Sequence, residues 1–78
     1  MQCYGITVKG IDDQGSFYVN HTVLANDLEE ADKIIINFYL SCENESLLEL
    51  DQAILLEHKY YTNTPQILDT LGKIYFTN

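Results

Sequence analysis

The chain has 78 residues and a net charge of −8, from twelve acids against four basic residues, all of them lysine. That length fits one domain with a modest core, and no apolar run approaches the roughly 20 residues of a membrane-spanning helix. A hydrophobic content of 46% excludes a disordered chain. The acidic balance argues against direct binding of nucleic acid, whose phosphates would be repelled.

Met1-Gln-Cys-Tyr-Gly5 has no basic region leading into an apolar stretch, so no signal peptide is expected. The expected location is cytoplasmic, with Cys3 and Cys42 as reduced thiols rather than a disulfide. Tyr4, Ile6 and Val8 alternate with Gly5, Thr7 and Lys9, which predicts a strand with one buried face. Asp12-Asp13-Gln14-Gly15 is turn chemistry. Ser16 to Ala25 resumes the alternation, with Phe17, Val19 and Val23 on one face and Tyr18, Asn20, Thr22 and Leu24 on the other. The two runs form a β-hairpin. His21 falls on its apolar face, where a packed, hydrogen-bonded imidazole is a better reading than a catalyst.

Asp27 to Cys42 is the clearest element. Asn26 or Asp27 caps a helix, and Asp27, Glu29, Glu30 and Asp32 suit the positive end of its dipole. Leu28, Ala31, Ile35, Phe38 and Cys42 recur at steps of three and four as one apolar stripe, flanked by Ile34 and Tyr39. Ile36 and Leu40 point away from that stripe, on the side of Glu29 and Lys33. Two large apolar residues there need a cover, either a later segment of the chain or a partner.

Glu43-Asn-Glu-Ser46 reads as a polar loop. For Leu47 to Tyr61, composition favours helix, whereas Leu48 and Leu50 alternate with Glu49 and Asp51 as in a strand. A two-stranded sheet could not cover the helix stripe, so the extended reading is preferred, with a kink or bulge near Asp51-Gln52. Helix remains the alternative. Thr64-Pro65 is expected to open a short helical turn that Gly72 ends, followed by a last strand over Lys73–Thr77. The fold class is therefore α+β: an antiparallel sheet of about four strands, in the order β-β-α-β-β, with one main helix on one face. The helix-free face would carry Tyr18, Thr22 and Leu24, with Tyr60, Tyr61 or Tyr75. Six tyrosines exceed what so small a core can hide with every hydroxyl satisfied. They either cap sheet edges or serve as contact residues.

No catalytic residue, metal or cofactor is expected. Cys3, His21, Cys42 and His58 lack zinc-site spacing. Asp12-Asp-Gln-Gly15 lacks the alternating ligands of a calcium loop. No glycine-rich phosphate loop exists, and nothing local supports a Cys42–His58 nucleophile. The chain is not expected to be an enzyme.

The charge is concentrated. From Asp27 to Glu57 lie Asp27, Glu29, Glu30, Asp32, Glu43, Glu45, Glu49, Asp51 and Glu57 against Lys33 alone. Such a segment steers in a basic protein partner, or simply keeps a small protein soluble. The hairpin followed by Leu24-Ala-Asn-Asp-Leu-Glu-Glu-Ala-Asp-Lys-Ile-Ile35 resembles small proteins of phages and mobile elements, including some type I anti-CRISPR proteins. There, a strand ending in Ala leads into a helix opening Leu-x-x-Ala. The resemblance implies an inhibitor of host machinery. The expected function is thus a small acidic antagonist that blocks a basic or nucleic-acid-binding surface of a partner protein. The alternatives are a self-associating structural domain, as a homodimer, and a toxin-neutralising immunity protein. The candidate partner-binding residues are Glu29, Glu30, Lys33, Ile36, Leu40, Glu43 and Glu45, with Tyr39 as a further anchor.

Overall fold

The computed structural model of the chain describes residues 1–76. Strands β1 (Gln2–Asp12) and β2 (Gly15–Ala25) pair as an unbroken antiparallel hairpin, from Gln2 opposite Ala25 to Asp12 opposite Gly15. The Asp12 carboxylate accepts the Gln14 N–H at 2.8 Å, and Gly15 supplies the positive φ that closes the turn.

Helix α1 (Leu28–Leu40) follows. Asp27 is its N-cap, accepting the Glu30 N–H at 2.8 Å, while the Glu30 carboxylate accepts from the Asn26 backbone at the same distance. The buried stripe is Ala31, Ile35 and Tyr39, at strict steps of four. This corrects the expected stripe: Leu28 and Phe38 are exposed at its margins, and Tyr39 lies within it. A helix of 13 residues is about 20 Å long and crosses the sheet once, so only a narrow row can face it squarely.

The chain then supplies two more strands, β3 (Ser46–Leu56) and β4 (Gln66–Tyr75). β3 pairs with β1 and β4 with β2, both antiparallel, giving the spatial order β3-β1-β2-β4. The Leu, Glu and Gln of β3 favour helix locally. The free edge of β1 instead offers a row of unpaired N–H and C=O groups, and Leu47 and Leu50 reach the core cluster only from an extended chain. The kink expected near Asp51 is present. Val8 pairs with Leu50 and Thr7 with Gln52, so Asp51 is an extra residue; Leu48 is a second one.

β4 overturns an expectation. Residues 66–72 form no helical turn but belong to the strand, and Gly72 sits inside it at φ 58°, where Asn20 opposite Leu71 gives way to Tyr18 opposite Ile74. The glycine that looked like a helix stop is a bulge residue. Thr77 of the expected last strand lies outside the described residues.

The core lies between α1 and the sheet: Ile6 and Val8 of β1, Phe17, Val19, His21 and Val23 of β2, and Ala31, Ile35 and Tyr39 of the helix. A Cβ on Gly10 would stand 2.5 Å from the Phe17 ring, so glycine there leaves the space the aromatic fills. Tyr75, expected on the helix-free face, packs edge-on against Phe17 at 5.9 Å on the helix side. Leu24 does belong to the helix-free face, yet it is fully buried, as is its partner Cys3. The connection Glu57–Pro65 starts from Leu56 beside Cys3 and ends at Gln66 beside Leu24, so it crosses the sheet over this pair.

A candidate protein-binding surface

The outer side of α1 and the adjoining edge of β3 gather most of the residues singled out from the sequence. On the helix, Glu29, Lys33, Ile36 and Leu40 share one exposed face, and Glu29 pairs with Lys33 at 3.5 Å. With both partners largely in solvent, that pair contributes little to stability. Glu30 is turned aside as part of the N-terminal cap.

Ile36 and Leu40 do meet a later segment of the chain, but only in part. With Tyr39, Ser46 and Leu47 they line an open groove of about 280 Å³, and they remain 39% and 79% exposed. β3 reaches the helix at Leu47 and then bulges at Leu48 and Asp51, so its side chains do not close over the helix row. A second, smaller groove continues along the same seam, lined by Leu28, Asp32, Leu50 and Asp51. Burial pushes the Asp32 carboxyl above its ordinary range. Leu28, Asp32, Ile36 and Leu40 follow at steps of four. Periodicity places Leu28 equally well in the core stripe, and only the structure assigns it to this row, although the steps of four are present in the sequence.

Glu43 is exposed just beyond the helix. Glu45 is not a free charge: it pairs with Lys73 of β4, which also meets Asp12 at 3.2 Å. The Tyr75 hydroxyl donates to the same Asp12 carboxylate, and the Lys73 ammonium lies 4.3 Å above the Phe17 ring. The hydrogen bond from Tyr75, together with Lys73, holds the Asp12 carboxyl below its ordinary range, while the bond to Glu45 raises the Lys73 ammonium. This cluster ties β4 to the hairpin turn and to the loop after α1.

Tyr39 is no surface anchor. Its hydroxyl lies 2.7 Å from His21 Nε2, and His21 Nδ1 lies 2.9 Å from the Thr70 hydroxyl, so both imidazole nitrogens are satisfied at 1% exposure. Phe38 and Tyr39 stand edge-on to the same imidazole. Burial lowers the His21 pKa, against a smaller opposing pull from the Glu45 charge, and pushes Tyr39 up to about 12. A neutral, fully paired histidine facing no solvent is a core element.

Cys3 lies under the Glu57–Pro65 crossing, whereas Cys42 follows the far end of the helix, donating to the Phe38 carbonyl at 3.3 Å. Both are free thiols with pKa values raised by burial. His58 lies in the crossing, within 3.4 Å of Asn63, at the opposite end of the sheet from Cys42. The two do not form a nucleophile–base pair. Among the described residues no three His, Cys, Asp or Glu side chains converge as metal ligands, and no helix is long and apolar enough to cross a membrane.

Comparison with protein-family models, curated proteins and solved structures finds no match to this chain.

Proposed function

We propose that the chain is a small acidic antagonist that docks on a basic surface of a partner protein through the outer face of α1 and the neighbouring edge of β3. The observation that carries this reading is an apolar anchor inside an acidic frame. Leu40 and Ile36 stand open beside Leu47, with Glu29, Asp32, Glu43 and Asp51 around them and, among the described residues, Lys33 as the one cation on that face. A centre that excludes water, surrounded by charge that orients the encounter, is the usual division of labour at an interface.

A nucleic-acid-handling protein suits this face, because carboxylates spaced along a helix can occupy sites that otherwise receive phosphates. The resemblance of Leu24–Ile35 to small phage proteins points the same way. Of the residues expected from the sequence, Glu29, Lys33, Ile36, Leu40 and Glu43 form the proposed contact. Glu30 and Glu45 support it from the helix cap and the Lys73 cluster.

The test is capture of partners from a bacterial lysate at low and high salt, followed by titration of the purified partner against variants. A basic partner released by salt is expected, with binding weakened by Glu29→Lys and Glu43→Lys through the association rate and by Leu40→Ser through the dissociation rate. A partner whose affinity ignores all three substitutions would refute the assignment of this face.

A further inference from the structure

The face of the sheet turned away from α1 is the second surface the molecule leaves open. Its floor is Gly5, Thr7 and Asn20, with Thr7 donating to the Asn20 side chain at 2.7 Å. Ile54 and Leu56 of β3 rise along one side, Leu71 of β4 along the other, around a groove of about 280 Å³. Ile54, Leu71 and Ile74 are 53%, 56% and 67% exposed. The Glu57–Pro65 crossing bounds this face at one end, and Phe76, stacked on Tyr18 at 4.8 Å, bounds it at the other.

We infer that this face joins two copies of the chain back to back. Charge is the first reason. A chain of net charge −8 repels its own copy wherever acids are dense, and the helix side carries most of them. The helix-free face holds Lys9 and Glu49, opposite one another in register so that their charges offset, and Asp69 near its edge. The Lys9 ammonium itself lies over the Phe76 ring. Among the described residues it is the broad face on which two copies set the fewest carboxylates against one another.

Area limits the strength of the contact. Four strands of 10 or 11 residues, at about 3.3 Å per residue and about 4.8 Å apart, give the face an outline of roughly 600 Å². With one end taken by the Glu57–Pro65 crossing, the contact is smaller than the ~800 Å² that each partner buries in a standard-size complex. Shape is the second reason. Apolar walls stand along the two outer strands with a groove between them, so two copies offset across a two-fold axis would each seat one wall in the groove of the other. Antiparallel sheets with one face on a core commonly show polar residues on the other, and isoleucine and leucine at these positions call for a cover. The dimer leaves both α1 faces outward, so it presents two copies of the acidic surface.

The test is the mass of the full 78-residue chain by sedimentation equilibrium over a wide concentration range, at low and high salt. A mass twice the 9.0 kDa of the chain is expected, unchanged or favoured by salt because screening relieves the remaining repulsion. The pair Ile54→Glu with Leu71→Glu should weaken the dimer by about a hundredfold or more. Both side chains are already half in solvent, so the fold should persist by circular dichroism. Ile74→Glu alone provides a milder version. The same chemistry on the helix, Ile36→Glu with Leu40→Glu, should leave the dimer intact. A chain that stays monomeric at every concentration would overturn the inference. So would a dimer that survives the sheet-face substitutions or breaks with the helix-face ones. Because the helix-face pair also removes the proposed partner contact, the two surfaces are tested separately.

Discussion

Replacing Tyr39 by Phe removes one oxygen atom from the core and leaves the His21 imidazole without its 2.7 Å partner. His21 is 1% exposed, so water does not take the place of the hydroxyl. An orphaned buried polar group costs roughly 1–3 kcal/mol, well above the net worth of an ordinary exposed hydrogen bond. In a domain of this size each kcal/mol corresponds to about 4–8 °C in Tm, so Tyr39→Phe should lower Tm by on the order of 10 °C. His21→Leu also destabilises, but the double variant removes both polar partners at once. It should therefore cost less than the sum of the singles, with a coupling of about 1 kcal/mol or more in a double-mutant cycle from urea unfolding. The pH dependence has a definite sign. Burial depresses the folded-state pKa of His21 below the ordinary 6.5, so as pH falls below that value the unfolded chain takes up a proton the folded chain resists. Stability from this group is complete above about pH 6.5 and declines toward the folded pKa, and the His21→Leu variant should lack that part of the slope. Additive single variants, or a wild-type slope identical to that of His21→Leu, would refute the buried, neutral network.

Other substitutions test the sheet. Gly10→Ala forces a Cβ against the Phe17 ring and within 3.0 Å of the Ser46 carbonyl, and should cost roughly 1–3 kcal/mol by urea unfolding. Gly5→Ala, which meets only the flexible tips of Leu56 and Ile54, should cost less. Gly72→Ala places a Cβ at φ 58° and should cost about 1–2 kcal/mol, with Gly72→Asn recovering part of it, both read from thermal unfolding. Lys73→Met separates β4 from Asp12 and Glu45 and should lower Tm most near neutral pH. The difference from wild type should shrink as pH falls through the depressed Asp12 pKa, and again above the ordinary lysine pKa of 10.5.

Much of the architecture is legible locally. The hairpin is written in the alternation of Tyr4, Ile6, Val8 and Phe17, Val19, Val23, and in the turn residues between them. The helix is marked by its acidic cap and its apolar recurrence. The kink of β3 falls where Asp51 and Gln52 interrupt the apolar alternation, but Leu48 and Leu50 before it keep the parity of Ile54 and Leu56 after it. Only the pairing with β1 shows that the bulge sends Leu50 to the helix side and Ile54 and Leu56 to the other face. β4 is harder to read. Thr64-Pro65 and Gly72 are good helix punctuation, and nothing in residues 66–72 reveals that β2 has an open edge waiting for them. Tyr39 and Phe38 exchange roles for a similar reason: periodicity locates a stripe to within about one residue, and only the crossing angle on the sheet selects between neighbours.

The residue order alone determines that this is an acidic α+β domain with a hairpin, one capped helix and later extended segments, since those follow from short-range sterics, dipoles and polar–apolar alternation. The tertiary structure decides the rest. Strand order β3-β1-β2-β4 depends on which hairpin edges remain unpaired. The burial of Cys3 and Leu24 depends on a connection that must cross from one edge strand to the other. The separation of Glu45, held by Lys73, from Glu29 and Glu43, both exposed, depends on a strand more than twenty residues away. So does the contrast between two open faces, one framed by acids and one nearly without them. Surfaces are made by segments distant in sequence, and no local pattern records which segments will meet.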